Sequence, residues 1–223
     1  MQFPIVTYDA QGCFESVTIP RPSNFHVHFR LDDIMRAVAP EIMKFYKYVL
    51  AMPNNGPGKG GIIRTLEDAN RIYHQLMDIR AKHGIFTLTK IFLTLYDTGD
   101  ITPAVVEQIR RSYIVDAVKN YPGHGGTTNS GHGRPFDEDA EVARAFVEYC
   151  VRRLFHAEDV VDLYGRPLEH KDREAHCITH RLRKFRDKYH GLYCVEHAST
   201  REAIDFVKED TSGKTFMTVT PQH

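Results

Sequence analysis

The chain has 223 residues, room for one large domain or two small ones, and its 42% hydrophobic and 26% charged residues are the balance of an ordinary globular protein. Its 29 Lys plus Arg equal its 29 Asp plus Glu, so no bulk field favours nucleic acid or an anionic membrane. No apolar run approaches the roughly 20 residues of a membrane span. The N-terminal MQFPIVTYDAQG lacks the basic and apolar regions of a signal peptide. The four cysteines, Cys13, Cys150, Cys177 and Cys194, form no Cys-x-x-Cys pair, a usage that reads as reduced thiols in a cytoplasmic protein.

After a short N-terminal segment, strand-like and helix-like stretches alternate. NFHVHF (24–29) reads as a strand, DDIMRAVAPEIMKFY (32–46) as a helix interrupted by Pro40, and KYVLAMP (47–53) as a short apolar strand. TLEDANRIYHQLMDIRAKHG (65–84) is the clearest helix: Leu66, Ala69, Ile72, Leu76 and Ile79 recur at spacings of three and four. Thr65 with Asp68 forms a capping box, and Gly84 suits the C-terminal stop. IFTLTKIFLTLY (85–96) alternates as a strand, PAVVEQIRRS (103–112) is helical, and YIVDAVKNY (113–121) is a strand. A helix over DEDAEVARAFVEYC (137–150), a short strand in VRRLFHAED (151–159), and a helix over KDREAHCITHRLRKFRDKYHG (171–191) follow. LYCVEHA (192–198) is a strand, STREAIDFVKED (199–210) a capped helix, and KTFMTVTP (214–221) a strand.

Seven strands separated by helices, with no internal linker, predict a single domain over residues 1–223 built on a parallel sheet. The (β/α)8 TIM-type barrel fits better than a doubly wound nucleotide-binding sheet, because the turn after the first strand is RLDD, which cannot cradle a phosphate. GPGKGG (56–61) lacks the spacing and the Ser or Thr of a P-loop and reads as a flexible loop. A full barrel takes about 250 residues, so about seven strands, an incomplete barrel, are expected here.

In such barrels the chemistry sits at the C-terminal ends of the strands. His26 and His28, Asn54, Lys119, His156 and His197 fall at such ends. Alternation places His26, His28 and Arg30 on one face and Val27 and Phe29 on the other. One strand-end histidine is ordinarily a satisfied polar residue and one lysine a solvated one. Four histidines and a lysine on matching ends of four strands predict a metal centre, with Arg30 beside it as an anion-binding group. GHGGTTNSGHG (123–133) holds five glycines and is a candidate lid. His74, His83, His170, His176, His180 and His190 fall on or beside helices and read as surface residues.

NFHVHFR, MPN, VKNYP with TTNSGHG, KDREA, VEHAST and TPQH, in this order from about residue 20 to the last residue, resemble the dihydroorotase family, the single-chain type within the amidohydrolase superfamily. The resemblance implies a zinc-dependent hydrolase of pyrimidine biosynthesis that reversibly cyclises N-carbamoyl-L-aspartate to L-dihydroorotate. It implies two Zn2+ ions, His26 and His28 on one and His156 and His197 on the other, with Lys119 bridging them as a carbamate formed with carbon dioxide. The chemistry agrees: an ammonium cannot ligate zinc, whereas a carboxylated lysine offers two anionic oxygens, and neutral imidazoles suit zinc. Two metals close together lower the pKa of a bound water and polarise the attacked carbonyl. By the same resemblance Arg30 and Asn54 would hold the substrate carboxylate, and Thr127 and Thr128 would reach the substrate as the loop closes.

In that family an aspartate at the end of the eighth strand binds metal and moves the proton, and a histidine soon after it helps hold the substrate. No residue here matches either. The chain is expected to be a fragment of a longer reading frame; a short protein completed by a partner or as a homodimer, and a decayed enzyme, are the other two explanations. The 223 residues alone are expected to show no appreciable turnover. The competing function is a non-catalytic metal-binding fragment or pseudoenzyme of the same fold that needs a partner.

Overall fold

A computed structural model of the chain describes residues 4–56, 61–86, 88–123, 130–137 and 139–220. The N-terminal segment forms a hairpin that the sequence reading did not anticipate. Strand β1 (Ile5–Tyr8) pairs antiparallel with β2 (Phe14–Thr18). The turn is held by Asp9, whose Oδ1 accepts from the backbone N–H groups of Gln11 and Cys13, with Gly12 at φ +80°, a local carboxylate turn of the kind Asp favours.

The main sheet contains β3 (Asn24–Val27), β4 (Tyr48–Ala51), β5 (Lys90–Tyr96), β6 (Val115–Asn120), β7 (Arg152–Phe155), β8 (Leu192–Val195) and β9 (Thr215–Met217). All seven are parallel and lie in chain order, each hydrogen-bonded to the next. A doubly wound sheet reverses its order partway; this one never does, which is the progression of an incomplete (β/α)8 barrel. Among the described residues β3 and β9 each have one strand neighbour.

The crossovers are α1 (Asp32–Phe45), α2 (Leu66–Lys82), α3 (Pro103–Arg111), α4 (Ala140–Glu148), α5 (His170–Cys177) with α6 (Arg183–Tyr189), and α7 (Arg201–Lys208). Their starts are written in the sequence. Thr65 and Asp68 form the reciprocal capping box. Thr102, Asp139 and Thr200 cap α3, α4 and α7 through their side chains.

Three expectations are corrected. Helix α1 runs through Pro40, because Pro40 is buried with Met35, Ala39 and Met43 on the face that packs inward, and this packing offsets the missing N–H. The strand expected over 85–96 begins only at Lys90. Phe86 and Leu88, which gave that stretch its strand-like look, are 91% and 85% exposed, while the Thr89 hydroxyl donates to the Met43 carbonyl (2.6 Å) at the end of α1. The helix expected over 171–191 is divided by a π-helical turn, Ile178–Leu182, and ends at His190 in the left-handed conformation.

The sheet feeds cores on both of its faces. One face packs under the helices in a cluster that includes Val27, Phe29, Val49, Ala51, Leu93, Leu95 and Val118. The alternate positions, Leu50, Met52, Ala117 and Leu154 with Phe92 and Cys194 against them, form a separate cluster inside the curl of the sheet. Counting two residues on from this inner set gives Asn54, Lys119, His156 and Glu196.

Candidate metal centre

The inner cluster therefore continues, at the C-terminal ends of the strands, into polar side chains. Lys119 is fully buried at the end of β6, and among the described residues its Nζ has no hydrogen-bond partner; it stands 3.9 Å from Glu196 Oε2 and 5.3 Å from the centre of the Tyr121 ring. Burial brings its ammonium down to about 8, against the opposing pull of Glu196 and Cys194. Burial therefore makes the free amine, the form that adds to carbon dioxide, more accessible near neutral pH than in an exposed lysine.

The four histidines come together around it. Ring centres of His26 and His28 are 5.2 Å apart, those of His26 and His197 5.6 Å, and those of His156 and His197 4.6 Å. His156 Nδ1 faces His197 Nε2 at 2.9 Å. His28 Nδ1 donates to the Asn54 carbonyl (3.0 Å), and His26 Nδ1 meets the Glu196 carboxylate. His26 on β3 and His28 just beyond it therefore both have Nδ1 engaged, which leaves Nε2 as the available lone pair.

This donor set fits zinc. Imidazole nitrogens are ordinary zinc ligands, burial holds His28 and His197 below the usual imidazole value, and the fully buried Lys119 amine is the kind of group that ligation or carboxylation would satisfy. Among the described residues no group of three or more His, Cys, Asp or Glu side chains is arranged to hold an ion; the four imidazoles run in one series, His28 beside His26, His26 beside His197 and His197 beside His156.

Strict alternation cannot account for His197. Glu196 occupies the inward position of β8, so His197 should point the other way. It turns back because its own backbone is left-handed, φ +44°, and its N–H donates to Thr218 Oγ1 at 2.8 Å, tying the bend to the segment after β9. A non-glycine residue in this region carries a conformational cost that surrounding structure must offset.

The other expected residues are placed as follows. Arg30 lies beyond the strand: β3 ends at Val27, and Arg30 is exposed with φ +63°, its backbone N–H donating to Asn55 Oδ1. The alternation of burial through residues 26–30 persists, but Arg30 belongs to the turn into α1. Asn54 is buried, and its Oδ1 accepts from the Tyr121 hydroxyl at 2.7 Å. Tyr121 in turn stacks on Tyr96 and on His156. Thr127 and Thr128 lie outside the described residues, as do residues 57–60 of the glycine-rich loop.

Two features were missed in the sequence. Glu196 is fully buried among the histidines, and the parity of LYCVEH could have revealed it. Asp97, also fully buried, binds Arg134 and Arg153 beneath Lys119; nothing in its local sequence marks it.

Burial lowers His28 to about 4 and His197 to about 3, reinforced by His26 and Lys119 in both cases. These folded values lie below the ordinary imidazole value of about 6.5. The unfolded chain therefore takes up protons that the folded chain refuses, so stability is complete above pH 6.5 and falls as the pH drops toward 4. Each group contributes up to about 1.4 kcal/mol per pH unit. Urea midpoints of the metal-free chain are expected to fall steeply over this window, and His28→Asn should flatten the slope. A flat profile between pH 6.5 and 4 would contradict this.

No protein-family model matches the chain. A dihydroorotase from Picosynechococcus is 29% identical over 218 residues, 94% of this chain and 57% of that protein. One from Alcanivorax borkumensis is 33% identical over 215 residues, 94% and 58%. The solved dihydroorotase of Saccharomyces cerevisiae, in complex with 5-fluoroorotic acid, superposes with a TM-score of 0.75 at 23% identity over 89% of this chain and 55% of that one. The fold is thus an incomplete (β/α)8 barrel like that of this solved dihydroorotase. Within that class this is a dihydroorotase-like chain along nearly its whole length. It spans a little over half the length of the curated relatives it matches. No helix among the described residues is long and apolar enough to cross a membrane.

Proposed function

We propose that the chain, read as one domain, carries the two-zinc centre of a dihydroorotase acting on L-dihydroorotate and N-carbamoyl-L-aspartate. The observation that carries this reading is the buried Nζ of Lys119, without a hydrogen-bond partner among the described residues, together with the series of His26, His28, His156 and His197. His26 and His28 would hold one ion, His156 and His197 the other, and Lys119, carboxylated by carbon dioxide, would span both. When bound, the zinc pair supplies Lewis acidity toward a cyclic amide carbonyl and an acidified water. The chain's own part is to disfavour protonation of His28, His197 and Lys119 by burial and to exclude solvent with the Tyr96–Tyr121 stack. Arg30, exposed at the mouth of the site, offers a planar fork to the substrate carboxylate, and Asn54 would turn its amide to the same group.

The test is zinc analysis and substrate binding on one preparation. Dialysis against zinc with bicarbonate is expected to leave two zinc ions per chain, with fewer when carbon dioxide is excluded. Calorimetric titration with N-carbamoyl-L-aspartate should show binding that Arg30→Ala weakens while zinc content stays unchanged. Zinc loss in step with the loss of ligand would contradict the role of Arg30. A chain that takes up no zinc under these conditions would overturn the whole reading.

A further inference from the structure

We infer that Glu196 is the positioning residue for His26: its carboxylate takes the Nδ1–H of the imidazole and so fixes the tautomer whose Nε2 lone pair points into the centre. This rests on the two-zinc reading of the site and assigns a role to a side chain outside the expected ligand set.

Glu196 is fully buried and reaches the site because it holds the inward position of β8, two residues on from Cys194. Its Oε2 meets His26 Nδ1 and accepts from Thr218 Oγ1 at 3.3 Å. The same Thr218 hydroxyl accepts the His197 N–H, so one threonine links the bend that brings His197 inward to the carboxylate that orients His26. His28, just beyond the end of β3, has its Nδ1 engaged in the same sense by the Asn54 carbonyl. These two histidines thus present Nε2 by the same device, one through a backbone oxygen and one through a carboxylate. A carboxylate partner also raises the basicity of the imidazole it holds.

The alternative is that Glu196 serves only as counter-ion to Lys119, 3.9 Å away. That role lapses once Lys119 is carboxylated and itself an anion, whereas the bond to His26 persists.

Two substitutions separate the roles. Glu196→Gln keeps an acceptor for the His26 N–H but removes the charge; Glu196→Leu removes both at similar volume. In the metal-free chain, long-range 15N–1H correlation spectra should show His26 as the Nδ1–H tautomer in wild type and in Glu196→Gln, and not in Glu196→Leu. Zinc affinity by competition with a chromophoric chelator should fall about 10–100-fold in Glu196→Leu, with the larger part of that loss recovered in Glu196→Gln. An Nε2–H tautomer of His26 in the wild-type chain overturns the inference whether or not the leucine variant folds. So does a glutamine variant as weak for zinc as the leucine one, since charge alone would then matter. The tautomer is read without metal, so failure of this inference is distinct from failure of the zinc centre, which shows as wild-type chain that binds no zinc.

Discussion

A Lys119→Met chain is expected to hold no more than one zinc ion where the parent holds two, and to gain nothing from added bicarbonate. On the two-zinc reading proposed above, carboxylated Lys119 would offer an oxygen to each metal, and methionine cannot be carboxylated. The same variant should lose stability without metal. Glu196 is fully buried, and Lys119 and His26 hold its carboxyl below the usual range although burial pushes it up. Removing one partner of a buried ion pair typically costs about 3–5 kcal/mol, because the other charge is left uncompensated. Adding Glu196→Gln to Lys119→Met should restore most of that loss, since neither charge then remains. The double variant should still lack the second zinc. Urea denaturation of the four chains in this cycle, with zinc analysis on each, checks both statements. A single variant as stable as the parent would show that the two side chains do not interact, and full zinc occupancy in either would remove Lys119 from the centre.

Much of this site was legible because strands obey a period of two. Once KYVLAMP, YIVDAVKN and RRLFH are read as inner-face alternation, Asn54, Lys119 and His156 fall at the same level without any tertiary information. His26 and His28 announce themselves by spacing. His197 was singled out by its strand-end position although its place in the strand breaks the alternation; the left-handed backbone at that residue, φ +44°, goes with a ring that lies near those of His26 and His156. Glu196 was overlooked for the complementary reason. A glutamate beside a strand-end histidine ordinarily reads as solvated, and its burial depends on β3 and β6 closing over it.

Helices were readable where caps are strong, as at Thr65 and Thr200, and less so where packing decides. Pro40 looks like a break when considered alone and is tolerated because its ring fills the inward face of α1. The strand-like pattern of 85–89 comes from side chains that packing leaves outside. The hairpin of β1 and β2 has two short strands with every residue exposed, so no periodic apolar face distinguishes it from a loop.

Asp97→Ala is expected to be the most destabilising single change among the polar residues, at about 3–5 kcal/mol. Asp97 Oδ1 binds Arg134 Nε at 2.7 Å, and Oδ2 lies 3.4 Å from Arg153 Nη2 and 3.3 Å from Asn120 Nδ2. Among the described residues Arg153 has no other carboxylate in contact. Its guanidinium lies over the rings of Phe146, Phe155 and Phe185 at 4.8, 5.3 and 5.1 Å and donates to the Phe136 carbonyl, so losing Asp97 leaves a buried cation held by ring faces and one carbonyl. Asp97→Asn keeps the shape and an acceptor and should cost less than the alanine. Because the Asp97 N–H donates to the Lys119 carbonyl at 2.9 Å, and Asn120 follows Lys119 directly, the network also fixes the backbone from which Lys119 reaches the centre. Zinc affinity should therefore fall in Asp97→Ala even under conditions where the variant remains folded. Denaturant midpoints and zinc competition on the same samples measure both effects. A loss of less than about 1 kcal/mol, the size of an ordinary hydrogen bond, would mean that water reaches Arg153 once Asp97 is gone, and that the β5–β6–β7 corner is held by its apolar packing alone.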